Sequence, residues 1–403
     1  MSMHADEKSD EGIRPMKQPN KEGSPSAEAV EGRTSPKGNG GKTAAARTLR
    51  RDTASNGLVA VRRAARQSKS VRFTALLHHI TVDLLKQSYL ALERDSAPGI
   101  DGVTWQAYGE NLEEKLTDLH DRVHKGSYRA RPARRTYIPK ADGSQRPLAI
   151  LCLEDKVIQQ AVATVLEAIY EEDFVGFSYG FRPGRGQHDA LGRRHPQEAG
   201  ELGAHSWIIR FLEHRIADKR ILRLIAKWLK VGIIEDGRVT RSQRGAPQGA
   251  VISPTLANVY LHYAYDLWVQ KWRQTKANGD LIVVRYADDQ IVGFEHEHEA
   301  KAFLHDLHER LRAFELALHP DKTRLIRFGR HAAEQRARLG EGKPETFDFL
   351  GFTHFCTRSR KWGSFVIGRK TIKKRMRAKL KAIKVELRKS MHDPIAKLSL
   401  IHI

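Results

Sequence analysis

The sequence predicts a mixed fold, α/β or α+β, with a helical carboxyl end. Two observations predict it: segments with helical apolar spacing alternate with short β-branched runs, and the last basic segment keeps a helical period with no strand after it. The element-by-element reading starts at Phe73, because the first 70 residues differ in texture. They are rich in Lys, Gly, Ser, Pro, Ala and Arg and almost free of aromatics. Such a stretch buries too little apolar surface to offset ordering entropy, so residues 1–70 are expected to be disordered.

From there "HHITVDLLKQSYLAL" (78–92) has helical spacing and runs into turns at Pro98, Gly99 and Gly102. "YRARPARRTYIPK" and "ADGSQRPLAIL" read as two strands joined at Asp142-Gly143, a strong hairpin signal. "LEDKVIQQAVATVLEAIYEEDF" (153–174) is an amphipathic helix, followed by the Gly- and Arg-rich loop "GFSYGFRPGRGQHDA". "IADKRILRLIAKWLKVGII" (216–234) returns to helical period. "RGAPQGAVISPTLANVYLHYAYDLWVQKW" (244–272) is a Gly/Pro loop feeding a long helix, with Ser253-Pro254 at its start. A hairpin, "LIVVRYADDQIVGF" (281–294), comes next, and a helix follows it (299–314). "LHPDKTRLIRF" (318–328) and "FDFLGFTHF" (347–355) look like further strand-loop units. No internal repeat is visible.

Lys and Arg number 70 against 48 Asp and Glu, giving a formal charge of +22 and a pI near 10.0. Nucleic acid is the first partner this implies, and an anionic membrane surface the second. No apolar run approaches the length of a membrane span, and the amino end lacks the apolar core of a signal peptide. Cys152 and Cys356 have no CxxC partner, which indicates neither a disulfide framework nor a cysteine zinc site. The His clusters at 78–80 and 295–299 read as surface residues, since nothing completes a metal set. A cytoplasmic, polyanion-binding protein is expected.

Against that charge, Asp288 and Asp289 sit together inside an apolar run. An Asp-Asp turn needs no function. Yet adjacent carboxylates repel unless a cation lies between them, and a phosphate-bearing partner brings divalent metals with it. Paired carboxylates holding Mg²⁺ beside a nucleic acid suit phosphoryl transfer.

Tyr286-Ala287-Asp288-Asp289 resembles the palm hairpin signature of reverse transcriptases. Further blocks are similar in order and spacing to the group II intron-encoded reverse transcriptase/maturase family: "APGIDGVTW" (97–105), "YIPKADGSQRPL" (137–148), "SYGFRPGRGQHDAL" (178–191), "GAPQGAVISPTLANVYL" (245–261), "LHPDKTRLIRFG" (318–329) and "GKPETFDFLGFTH" (342–354). The resemblance covers nearly everything from Phe73 onward. It implies an α+β right-hand polymerase: fingers and the start of the palm over 71–200, palm over 201–365, and a truncated thumb or maturase domain over 366–403.

The resemblance also implies roles. Asp288 and Asp289 would bind Mg²⁺ and be catalytic. Lys140 and Arg146 would grip the triphosphate of a dNTP, Gln248 and Gly249 would lie at its base and sugar, and Tyr286 would lie under the nucleotide-primer junction. Arg182 and Arg185 would touch template or intron RNA, and Lys322 the primer end. Lys373, Lys374 and Arg377, in the basic segment 369–389, would bind RNA. The implied function is RNA-directed DNA synthesis from a DNA primer on group II intron RNA, with assistance to splicing.

One departure stands out. The family places a third carboxylate on a strand between the "HDAL" block and the helix that follows. Here "SWII" (206–209) resembles the start of that strand and "RFLEHRIAD" (210–218) the helix, while the acid-bearing part between them is missing and the palm is shortened near 209–210. Glu201, Glu213 and Asp218 are the nearby acids, and none is assigned to the site. The alternative reading is therefore a catalytically dead, RNA-binding maturase remnant, or a degenerate reading frame.

Overall fold

The computed structural model describes residues 56–139, 145–192, 204–235, 237–240, 249–389 and 391. Its first element overturns part of the expected disorder. Helix α1 (Asn56–Gln67) buries Leu58, Val61 and Ala65 on one face. Arg66 forks onto Glu172 through Nε and Nη2 at 2.9 and 3.1 Å. Composition averaged over a mostly polar stretch of 70 residues hid three apolar positions at helical spacing; residues 1–55 lie outside the described residues.

Helices α2 (Val82–Ala91) and α3 (Trp105–Gly109) start at Thr81 and Thr104, whose hydroxyls accept from the N–H groups of Leu84 and Ala107. After α4 (Leu112–His124), strands β1 (Ala133–Pro139) and β2 (Gln145–Ile150) pair antiparallel, with Tyr137 opposite Pro147. Helix α5 (Leu153–Asp173) is buried on most of its sides: Val157, Ile158, Ala161, Val162, Val165, Leu166 and Ile169 are all in the core, and a narrow stripe of Lys156, Gln160, Thr164, Glu167 and Glu171 stays partly exposed. It is the spine of the largest core, into which α1, α2 and α4 pack.

Next come α6 (Gln187–Gly192), α7 (His205–Glu213) and α8 (Lys219–Lys230). Here the expectation of a strand at 206–209 fails. Ser206, Trp207, Ile208 and Ile209 form one continuous helix with "RFLE", burying Ile208, Phe211 and Leu212 at i, i+3 and i+4. Helix α8 stops at Lys230, and two short strands that sequence periodicity did not show follow it. β3 (Ile233–Glu235) lies parallel to β1, and β4 (Arg238–Thr240) pairs antiparallel with β3, giving a sheet ordered β2-β1-β3-β4.

The long helix is in three parts: α9 (Ser253–Leu261), a π-helical turn (His262–Asp266) and α10 (Leu267–Thr275). Strands β5 (Leu281–Tyr286) and β6 (Asp289–Phe294) form the expected hairpin, and α11 (Glu297–Ala313) packs beside it. Residues 316–328 hold no strand, which corrects the expectation at 318–328. After α12 (Ala332–Arg338), strands β7 (Phe347–Phe349), β8 (Phe352–Arg358) and β9 (Phe365–Thr371) make an antiparallel sheet, and β9 leads into α13 (Lys373–Lys389). Helix and strand are thus mixed in an α+β arrangement. No described helix is long and apolar enough to cross a membrane.

Strand β5 lies between two smaller cores. Leu281 and Val283 face Tyr265, Val269, Trp272 and Phe303, while Val284, on the opposite face, meets Tyr179, Ala190 and Phe349. Burial on both faces holds over Val283–Arg285, while Ile282, nearer the strand start, is exposed.

Candidate active site at the β5–β6 turn

Tyr286 pairs with Asp289 in the ladder, so the connecting turn is Ala287-Asp288 and Asp289 opens β6. The two carboxylates therefore belong to different local environments, turn and strand, though both are half-buried. Ala287 has a φ of +56°, a left-handed conformation that costs an L-residue roughly 1–2 kcal/mol.

What holds that strained turn is Arg285, 1% exposed. Its guanidinium has five N–H donors in a fixed fork, and each finds an acceptor. Nε donates to Asp266 Oδ1 (2.7 Å) and Nη2 to Asp266 Oδ2 (2.6 Å) and Ser178 Oγ (2.6 Å). Nη1 donates to Asn258 Oδ1 (3.1 Å) and to the carbonyl of Ala287 itself (2.6 Å). Asp266 is fully buried at the end of the π turn; burial pushes its carboxyl pKa upward while the Arg285 charge pulls it down. Sealing an ion pair away from water is costly, and it holds only when the remaining lone pairs and protons are also satisfied.

The other wall of the turn is the loop before α6. Tyr179 N donates to Arg285 O (2.7 Å) and Arg285 N to Phe177 O (2.8 Å), a parallel bridge that extends β5 sideways. Asn258 Nδ2 donates to Gly180 O (2.8 Å). A Cβ on Gly180 would lie 2.0 Å from Ala287 N, so only glycine lets this loop touch the turn. Sequence reading missed Arg285, Asp266, Asn258, Ser178 and Gly180 as a unit. The available signal was a single Arg inside an apolar strand, since a charge buried there must find a partner.

The remaining expected residues divide. Arg182 is a correction: its side chain is only 3% exposed and is used internally, Nε to Glu171 (3.1 Å) and Nη1 to the carbonyls of Val175 (3.0 Å) and Ser178 (2.8 Å). Burial lowers its pKa, with Glu171 opposing. It shapes the 175–182 loop and has no surface to give RNA. Arg185, half-exposed, donates to Gly176 O (2.8 Å) and lies over Tyr179. Tyr286 packs, half-buried, on the third core. Gly249 has a φ of +108°, and a Cβ there would meet Ala149 O at 2.8 Å, which brings the 249 loop against β2. Lys322 is exposed, as are Lys373, Lys374 and Arg377 on α13. Lys140 and Gln248 lie outside the described residues; Arg146 lies in β2, its side chain outside them.

Of the nearby acids, Glu213 ends α7, and Asp218 caps α8. Asp218 is buried, which alone would raise its pKa. The N–H groups of Leu76, Leu77 and Arg220 and the Arg220 side chain outweigh that and hold its carboxyl at about 2.

A family model described as reverse transcriptase (RNA-dependent DNA polymerase) matches residues 138–354. The chain is 31% identical over 331 residues to Protein YkfC of Escherichia coli K12, across 68% of this chain and 86% of that protein. It is 30% identical over 285 residues to the group II intron-encoded protein LtrA of Lactococcus lactis, across 64% of this chain. The chain belongs to the group II intron-encoded reverse transcriptase/maturase family. The match spans about half of LtrA, 48% of its length. A 91 kDa protein in a cob intron of Schizosaccharomyces pombe is 40% identical over 144 residues, 32% of this chain and 18% of that protein.

Reverse transcriptases of this kind use Mg²⁺, and the donor set at the turn can be tested against it. Mg²⁺ is bound by one or two carboxylates together with substrate phosphates, which Asp288 and Asp289 can supply for one ion. Among the described residues no group of three or more His, Cys, Asp or Glu comes together.

Proposed function

We propose that the protein is an RNA-directed DNA polymerase of group II intron type, which binds intron RNA and extends a DNA primer upon it. The observation that carries this reading is the clamped β5–β6 turn. A conformation that costs energy is held by a fully satisfied buried arginine, and what the turn presents is a pair of carboxylates. On this reading β1–β2 is the fingers hairpin, where Lys140 and Arg146 bind a dNTP triphosphate as a point charge and a bidentate fork. Gln248, Gly249 and Tyr286 border the nucleotide, β5–β6 is the palm, and α13 begins the thumb. Mg²⁺ held by Asp288 and Asp289 would neutralise phosphate charge as the new bond forms. Lys322 lies toward the primer end, and Lys373, Lys374 and Arg377 bind RNA phosphates. We place the protein in the cytoplasm with its RNA.

A second reading, intron RNA binding without polymerisation, is favoured by α7, a helix at the position where the family pattern has the strand bearing the third acid. Primer extension separates the two. The purified protein is given an RNA template, DNA primer, Mg²⁺ and dNTPs, beside Asp288→Ala. Extension that the substitution abolishes supports the polymerase. A folded protein that binds intron RNA and extends nothing supports the second.

A further inference from the structure

The turn between β8 and β9 has no part in the site described above, yet it is built with equal care. Ser359 N donates to Ser364 O (2.8 Å), Gly363 N to Ser359 O (2.9 Å) and Trp362 N to Ser359 Oγ (3.3 Å). Gly363, at a φ of +61°, completes the reversal. This fixed loop projects Trp362 into solvent. The side chain is 74% exposed, more than Met391 at 63% or Leu339 at 59%. Packing gives no reason for an indole there, since exposure forfeits its burial energy.

The surroundings state the chemistry of what would cover it. The Lys361 ammonium lies 4.8 Å from the ring centroid. Arg358, Arg360 and Lys361 are exposed around the turn, Arg369 and Lys370 on β9 are exposed as well, and no acidic residue occurs between Asp348 and Glu386. An aromatic platform within a cationic, acid-free stretch of chain is the composition that binds single-stranded nucleic acid: the ring takes a base, and the cations take the backbone. A duplex offers no free base face, so such a platform selects unpaired nucleotides.

We propose that the β8–β9 turn is a docking site for a single-stranded stretch of RNA, in which Trp362 stacks on one unpaired base and Arg358, Arg360 and Lys361 hold the flanking phosphates. The proposal deepens the RNA-binding part of the function above and does not depend on polymerisation.

The test uses the full chain without metal or nucleotides. Binding of a labelled oligouridylate, and of an oligouridylate–oligoadenylate duplex, is followed across salt concentrations. Trp362→Ala is expected to weaken single-strand binding about tenfold, the loss of one stacked base. Trp362→Phe should recover most of that, and duplex binding should not change. The salt slope should stay the same in Trp362→Ala and fall by about one in Arg360→Ala, because only the cation releases a counterion. Single-strand affinity in Trp362→Ala equal to wild type overturns the proposal, as does an equal loss on the duplex. Loss of binding to phosphatidylserine vesicles, with RNA affinity intact, would assign the turn to a membrane surface instead. A wild-type chain that binds neither RNA overturns the RNA-binding reading along with it; wild-type binding unaffected by the substitutions overturns this proposal alone.

Discussion

Hairpins β5–β6 and β8–β9 both reverse the chain tightly, but their turns are held by different things. The first is fixed from outside. Arg285 reaches Asp266 and Asn258 on the long helix, and the 178–180 loop closes over Ala287. The second is fixed by its own six residues and stands in water. The turn that carries the two carboxylates is set by the tertiary structure, while the one that exposes a ring is set by local hydrogen bonds. The difference should appear in how far a substitution in each is felt.

The largest effect is expected at Arg285. Removing one partner of a buried ion pair strands the other, and Arg285→Ala should cost about 3–5 kcal/mol, read from the denaturant midpoint. Arg285→Lys should lose much of the same, since an ammonium cannot reproduce the fork. A variant as stable as wild type would break the contrast between the two turns. Next is Gly180→Ala, whose new methyl meets backbone that no rotamer change can move aside. About 3 kcal/mol is expected in the same unfolding measurement.

A pH test sharpens the buried side of the comparison. His262, in the π turn, is held neutral by burial first and then by the guanidinium of Arg285, with its pKa down at about 3. The unfolded chain protonates this group below about 6.5 and the folded one does not, so the stability it contributes is complete above that pH and is lost as pH falls toward 3. At pH 5 the loss is about 2 kcal/mol. Unfolding of His262→Asn should show a correspondingly shallower decline between pH 6.5 and 4.

Smaller again is Ala287→Gly, which relieves the left-handed residue. It should raise stability by about 1 kcal/mol, seen as a higher Tm, with the ladder unchanged. Last is Trp362→Ala, expected to stay within about 0.5 kcal/mol of wild type in stability even where RNA binding falls.

Much of the fold was legible because its elements obey periods. The apolar spacing of 153–173 and the apolar run of 281–286 announce a buried helix and a largely buried strand. What failed has physical causes. "SWII" is β-branched and aromatic enough to pass for a strand, but its continuation buries residues at helical spacing, and tertiary packing decides. Strands β3 and β4, of three residues each, exist through pairing with β1 and with each other, so no local period marks them. At the site, the acids were visible as types. Arg182 showed the limit of that approach, because an arginine in a glycine-rich loop looks the same whether it faces phosphate or Glu171.

The π turn at 262–266 carries a further consequence. The rod serves both cores across this turn: Leu256, Val259, Tyr260 and, beyond it, Leu267 pack in the large core, whereas Tyr265, Val269 and Trp272 pack in the second. Asp266 sits at the changeover. The two cores therefore share one continuous rod, and neither can melt without withdrawing the anchor from beneath the carboxylate turn. Folding cooperativity and the poise of the site are the same property in this chain: amide hydrogen exchange in β5 should slow and quicken in step with exchange in α5.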